Sequence, residues 1–302
     1  MKTVVIFGGS GFIGRHIISR IAKNGYKIIV PYQRFVNEAN LRFFGNTGQI
    51  IPLKFHHIRE KPIIKSLKNA DIIINLKTKW DEKNLTFDEG IYNFNVQLAD
   101  LIKEINKKAL FIFFSGLGTS KITTSLRIKA IAKTEEHIIK NYVNYCIIRP
   151  GIILGGGDQF LEKLIPIFKY SLVVPLFGKG NHKFQPVYFN DITAAVETII
   201  LKDVKGKNLF ELAGTEIFSY KNFYKKIAKY LGLKRYFISI PFSLVSFMLF
   251  ITEKMSISIL TKEQLSLFRE DNLYKNLEKG FKDLQIKPKI VSNIIKLYIK
   301  NR

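Results

Sequence analysis

The chain has 302 residues, 47% of them hydrophobic, and carries 48 Lys and Arg against 24 Asp and Glu, a formal charge of +24. Its single cysteine, Cys146, excludes an internal disulfide framework and suits a reducing compartment. No uninterrupted apolar run reaches the roughly 18–20 residues that a membrane-spanning helix needs, and the length favours one large domain with a smaller appendage.

The charge invites a nucleic-acid reading, but the 48 basic residues are 38 Lys and 10 Arg, scattered along the chain. Readers of nucleic acid cluster their positive charge and lean on Arg for bidentate contacts, so no specific nucleic acid is expected as a partner. A uniformly Lys-, Ile- and Asn-rich chain fits codon bias in an AT-rich genome. The other use of such charge is attraction to an acidic partner or an anionic membrane surface.

MKTVVIFGGSGFIG runs directly into structure, so no leader peptide is expected. Thr3–Phe7 is a β-branched strand, followed by a glycine-rich turn and the helical pattern RHIISRIAKNG. The strand YKIIVPY comes next, and later DIIINL (71–76), ALFIFFS (109–115) and NYCIIRP (144–150), alternating with helices such as IYNFNVQLADLIKEINK. Continuous apolar strands alternating with helices predict an α/β fold, a Rossmann-type doubly wound parallel sheet covered on both faces.

After Pro150 the rhythm changes. GIILGGGDQF is a glycine-rich loop, QPVYFNDITAAVETIIL a short strand leading into a helix, and GKNLFELAG a further strand. From about Ser219 the pattern is mainly helical. The expected plan is a dinucleotide-binding domain over 1–155, with about 186–213 returning to it. A smaller, mainly helical C-terminal domain takes about 156–185 and 214–302, for substrate or docking. Within it FISIPFSLVSFMLFI (237–251) starts a helix near Pro241. Its roughly ten helical residues span about 15 Å, half a bilayer core. It reads either as a buried helix or as an apolar docking face. The terminal helix, apolar at Ile290, Val291, Ile294, Ile295 and Tyr298, is open to the same two readings.

Gly8, Gly11 and Gly14 form a G-x-x-G-x-x-G array at the first strand-to-helix turn. Glycine there permits a tight turn and close backbone approach to a pyrophosphate, while the helix N-terminus offers partial positive charge. Gly8, Gly9, Ser10, Gly11, Phe12, Ile13 and Gly14 are therefore candidates for dinucleotide binding. An NAD site ends its second strand in an acid that holds the ribose 2′-hydroxyl. Here the text is IIVPYQRF, with Arg34 in place of an acid. A guanidinium binds a 2′-phosphate, so NADP(H) is expected over NAD(H). Asn75 and Leu76 end the strand expected beside the adenosine, and Arg149, Pro150 and Gly151 end one near the nicotinamide; strand-terminal turn chemistry is the alternative for each.

GGSGFIG, IINL, the strand-end Ser115 and IIRPG resemble the extended and atypical short-chain dehydrogenase/reductase superfamily. VPYQR, NLRFFGNTGQI, INLKTKWDEKNLTFDE, FQPVYFNDI, LTKEQLSLFREDN and FKDLQIKP narrow the resemblance. Over nearly the whole chain they look like the nucleotide-binding accessory subunits of respiratory complex I, the alpha-subcomplex subunit 9 type, and their bacterial relatives. The most specific pieces are the PVYxxD-like stretch and the W-(D/E)-x-K-N-x-x-F pattern over Trp80–Phe87.

In active superfamily members a Tyr four residues before a Lys exchanges a proton with substrate, the Lys holds the nicotinamide ribose, and a Ser orients the substrate. Ser115 and Lys129 match the Ser and Lys, but FFSGLGTSKITTSLRIKA places Ser125 at the Tyr position. An aliphatic hydroxyl is a far weaker acid than a phenol with pKa near 10. Positioned acid–base help is worth about 10²–10⁴-fold in rate, so Ser115, Ser125 and Lys129 read as a degenerate, inactive catalytic edge. The resemblance implies a bound NADPH away from the electron path and peripheral attachment to the large assembly. One further departure is that Gln33 precedes Arg34, where family members commonly put Arg directly after the PY.

The expected role is thus a non-catalytic, NAD(P)H-binding accessory or assembly subunit of NADH:quinone oxidoreductase. It would sit cytoplasmic and peripheral to a bacterial inner membrane, or on the matrix side of a mitochondrial one. The alternative is an NADP-dependent reductase, epimerase or dehydratase acting on a sugar-nucleotide or lipid-like substrate. Its replacement donor would be a water held by Ser115 and Ser125, or Tyr142 or Tyr188. His56-His57 reads as surface loop, not a metal site, and no metal is expected. Cys146 reads as an inert strand residue.

Overall fold

The computed structural model describes residues 1–80, 82, 85–254 and 261–300, leaving out the side chains of 250–254 and 262. In chain order the elements begin with β1 (Thr3–Phe7), α1 (Phe12–Ala22), β2 (Lys27–Tyr32), α2 (Glu38–Arg42), β3 (Ile50–Lys54), α3 (Lys61–Lys68) and β4 (Ile72–Asn75). A π-helical turn, Asp88–Asn93, leads into α4 (Phe94–Ile105). There follow β5 (Leu110–Phe114), α5 (Leu126–Asn141), β6 (Tyr145–Pro150), β7 (Ile153–Leu154), α6 (Gln159–Tyr170), β8 (Val173–Phe177), β9 (Lys183–Phe184), β10 (Val187–Tyr188) and α7 (Phe189–Leu201). The rest comprises β11 (Lys207–Leu212), β12 (Phe218–Ser219), α8 (Tyr220–Tyr230), β13 (Tyr236–Ile240), α9 (Phe242–Lys254), α10 (Lys262–Ser266) and α11 (Val291–Lys300).

Seven strands form one sheet in the order β11-β6-β5-β4-β1-β2-β3, every pair parallel. The alternation of side chains along each strand divides its apolar residues between two faces. Val4 and Ile6 of β1 pack with Ile17, Ile18 and Ile21 of α1 and Val196 and Ile199 of α7. Val5 and Phe7 of the same strand face Leu98 and Ile102 of α4 and Ile131 and Ile138 of α5. Burying each such side chain contributes on the order of 2 kcal/mol, which is why the strands are apolar on both sides.

The edge strand β3 was not among the expected elements. Pro52 breaks its apolar run, and proline is tolerated there because β3 pairs only with β2.

A third cluster joins α6, α8 and α11, through residues such as Phe168, Phe223 and Ile295, with Phe184 between them. Phe281 and Leu284 leave that part and pack on the α1/α7 face of the large sheet, where Phe210 bridges to Lys279. The 237–251 stretch divides into β13, paired parallel with β8, and the start of α9. Val245 and Leu249 of α9 are buried, whereas Leu244, Phe247 and Met248 are exposed. The side chains of Phe250 and Ile251 lie outside the described residues. No helix among the described residues is long and apolar enough to cross a membrane.

Candidate functional site

The sheet order reverses at β1, so the carboxyl ends of β1, β2 and β4 open a crevice where ligands of such sheets bind. The glycine turn lies there. Gly8 has φ +77°, and a Cβ on it would come within 3.0 Å of the Leu76 backbone. A Cβ on Gly14 would meet Gly8 O at 2.5 Å and Gly9 Cα at 2.6 Å, so helix and turn touch backbone to backbone. Gly11 caps α1 without a side chain, and the first turn of the helix holds no acid. The N–H groups at this helix start therefore face the crevice without a side-chain acceptor, a cradle that fits a pyrophosphate. Ser10 lies in the turn, and Ile13 packs on the core behind it. Phe12 lies edge-on to His16 and Phe189, at centroid distances of 5.2 and 5.7 Å.

Arg34 stands exposed just beyond β2. A carboxylate lies nearby after all: Glu38, six residues beyond β2's Tyr32, accepts from the Tyr32 hydroxyl and from Arg42 at 2.7 Å. Asn75 is fully buried, donating to Asn95 Oδ1 at 2.7 Å and accepting from the Lys77 backbone N–H at 3.1 Å. Lys77 was not among the sequence candidates. Its ammonium donates to Gln33 Oε1 at 2.6 Å and lies 3.5 Å above the Phe94 ring. Burial, helped by the positive charge of Arg34, pulls its pKa down to about 8.

Ser115 follows β5; its hydroxyl lies 3.0 Å from that of Thr119, and its backbone N–H bonds Ile148 O. Pro150 O accepts from Leu117 N at 2.9 Å, and Gly151, where a Cβ would sit 2.3 Å from Gln185 O, bonds Leu212 O. Ser125 is the N-cap of α5, its Oγ accepting from Ile128 N at 3.0 Å. The same hydroxyl donates to Glu263, 138 residues further on. Lys129, one turn into the helix, is exposed. The LTKEQLSLFREDN segment therefore closes against this edge at two points, because Asn272 Nδ2 also donates to Leu117 O at 2.6 Å.

Other singled-out residues have structural partners. Arg149 is held bidentately by Glu135 at 2.6 and 2.9 Å and reaches Glu211 at 3.3 Å, a largely buried triad. Tyr142 is corrected as a replacement donor. It ends α5 about 20 Å along the helix from Lys129, donates to the carbonyls of Asn106 and Ala109, and has its phenol pKa pushed far up by burial. Tyr188 packs on Phe189, with Lys289 5.7 Å above its ring. Asp191 of the PVYxxD-like stretch accepts from Lys289 N and so anchors the approach to α11.

In the other specific motif, Trp80 lies 3.7 Å under Arg127, while Asp81, Lys83 and Asn84 are outside the described residues. His56 and His57 are exposed, and their backbone N–H groups bond Glu60. Cys146 is buried in β6, which pushes its thiol up to about 12. Asp158 caps α6 beneath the 155–157 loop. Burial raises its carboxyl to about 6 despite N–H donors from Leu161, Gly155 and Phe160.

A parallel sheet of this order, with a glycine turn at its switch point, defines a dinucleotide-binding α/β protein of the Rossmann type. The family model of the NAD dependent epimerase/dehydratase family matches residues 4–213, and the chain belongs to that family. It is 27% identical over 296 residues to the mitochondrial NADH dehydrogenase [ubiquinone] 1 alpha subcomplex subunit 9 of Arabidopsis thaliana, covering 94% of this chain and 73% of that protein. To the subunit of the same name from Dictyostelium discoideum it is 30% identical, covering 83% and 69%. Among solved structures, a Bacillus cereus UDP-glucuronic acid 4-epimerase bound to UDP-glucuronic acid and NAD superposes with a TM-score of 0.70 at 15% identity, over 99% of both chains. That likeness is one of fold.

Proposed function

We propose that this chain is a non-catalytic accessory or assembly subunit of a respiratory NADH:quinone oxidoreductase, holding NADP(H) as a structural ligand. The observation that carries the reading is the fate of the proton-donor position. Its occupant, Ser125, is a helix cap whose hydroxyl is committed to Glu263. A bound nicotinamide dinucleotide supplies hydride chemistry; Ser125 offers no phenol to exchange the accompanying proton. The relatives named as complex I subunits support the assembly role.

In this reading Gly8, Gly9, Ser10, Gly11, Phe12, Ile13 and Gly14 cradle the pyrophosphate, with Leu76 packed against the turn and Asn75 fixing the strand end. Ser115, Lys129, Pro150 and Gly151 flank the nicotinamide half. Arg34 holds the 2′-phosphate, while Glu38 is engaged by Tyr32 and Arg42 and so competes little for a ribose hydroxyl. The protein sits peripherally on the membrane complex, on the cytoplasmic face in a bacterium or the matrix side in a mitochondrion. Its positive charge and the exposed apolar residues of α9 serve docking. Gentle solubilisation and affinity capture from the native source should bring down other subunits of the oxidoreductase. Recovery of the protein only as a free species would overturn the assembly role.

A second reading, an active NADP-dependent reductase or epimerase, is favoured by the family match and by retention of Ser115 and Lys129. Turnover of a carbonyl substrate that disappears in Lys129→Ala would select it.

A further inference from the structure

We propose that Lys77 is the second cation of the 2′-phosphate site, facing Arg34 across the crevice, and that this pair sets the preference for NADP(H) over NAD(H). The inference rests on the nucleotide reading above and names the residue that makes it selective.

The geometry comes from the strand order. β1 lies between β4 and β2. Lys77, two residues past β4, can reach Gln33, one residue past β2, only by crossing above the end of β1, where the glycine turn begins. Each link in that reach is fixed. Asn95 holds Asn75, and Asn75 holds the Lys77 backbone. Gln33 is turned the right way because its amide Nε2 donates to His56 O at 3.1 Å, which leaves Oε1 for the ammonium. Phe94 supports the ammonium from its ring face at 3.5 Å. Of three N–H donors, Gln33 takes one and the ring faces another, which leaves one for a ligand. Gln33, the departure beside Arg34 in the sequence, is thereby explained as the holder of Lys77.

Lys77 is half-buried, so its ammonium loses hydration and feels the positive charge of Arg34. A neutral 2′-hydroxyl relieves neither cost. A phosphate monoester carries close to two negative charges above pH 7 and relieves both. Because burial and Arg34 leave the free ammonium titrating near pH 8, a bound phosphate must raise that pKa. Affinity for the phosphorylated nucleotide is then fully present below pH 8 and is lost as the pH rises through it. Other ionisable groups around this end of the sheet are Glu38, held by Tyr32 and Arg42; Lys54, which lines one cavity with Gln33 and Glu38; His56, on the loop after β3; and Lys79, bonded to Leu85 O. On the α4 side, Asp88 pairs with Lys133.

The test is calorimetric titration of the full chain with NADPH and with NADH from pH 7 to 9.5, for wild type and Lys77→Gln. Wild type should bind NADPH more tightly, with the affinity about tenfold weaker at pH 9 than at pH 7 and the NADH affinity flat. Lys77→Gln should lose about tenfold or more in NADPH affinity at pH 7, keep its NADH affinity, and show no pH dependence. The wild-type pH profile needs no variant, and NADH binding by the variant shows that its site is intact. A flat wild-type NADPH profile, or equal losses for both nucleotides in the variant, overturns the role of Lys77 while nucleotide binding stands. Wild type binding neither nucleotide overturns both.

Discussion

Replacing Ser125 with Ala removes two interactions whose size follows from the structure. The first is the N-cap of α5, where Oγ accepts from Ile128 N at 3.0 Å; loss of such a cap costs about 1 kcal/mol. The second is the hydrogen bond to the Glu263 carboxylate. Bonds to charged groups contribute about 1.5–3 kcal/mol when dry. Glu263 is only half-buried and regains water when its partner goes, so about 1 kcal/mol is the appropriate share. The sum is about 2 kcal/mol. With an unfolding entropy of about 2.1 cal/mol/K per residue, a chain of this length should melt about 3 °C lower. Circular dichroism melts of wild type, Ser125→Ala, Ser125→Thr and Glu263→Gln, with the double variant Ser125→Ala/Glu263→Gln, measure it. Thr retains both cap and donor and should recover most of the loss, and the double variant should show a coupling near 1 kcal/mol. Stability of Ser125→Ala within about 0.5 kcal/mol of wild type would refute the structural assignment of this hydroxyl.

Gly14→Ala puts a Cβ 2.5 Å from Gly8 O. Overpacking of about 1–3 kcal/mol outweighs a helix-propensity gain of about 1 kcal/mol; titration should find dinucleotide affinity at least tenfold weaker, and unchanged affinity would deny the turn its role. Arg149→Met strands the carboxylates of Glu135 and Glu211, 4% and 10% exposed, and urea unfolding should report a loss of about 3–5 kcal/mol. Asp158, raised to about 6 from 3.8, favours the folded state most when protonated. Its contribution is complete below about pH 4 and is lost as the pH rises through 6. The stability of wild type relative to Asp158→Asn should therefore fall by roughly 2.5 kcal/mol between pH 4 and 7, and a pH-independent difference would contradict the assignment.

The central strands and the glycine turn were legible because their signals are local. A β-branched run, three glycines at fixed spacing and a 3.6-residue period specify β1, the turn and α1 without reference to the rest of the chain. Strand β3 was missed because Pro52 interrupts its apolar run, which an edge position tolerates. Lys77 was missed for a different reason. Its place depends on β1 lying between β4 and β2, which only the sheet order reveals. The Ser125–Glu263 bond spans 138 residues, and no periodicity carries such a contact. The departure at Ser125 was visible in the sequence; that the hydroxyl caps a helix and binds the C-terminal segment was not.

The central claim is that a reduced phosphorylated dinucleotide braces the fold. Protein purified natively should release NADP(H) in near-equimolar amount when denatured. After the nucleotide is stripped, NADPH added at one hundred times its dissociation constant should contribute about 2.7 kcal/mol and raise the melting temperature by about 4 °C. An empty crevice, together with a melting temperature that NADPH does not move, would contradict the account.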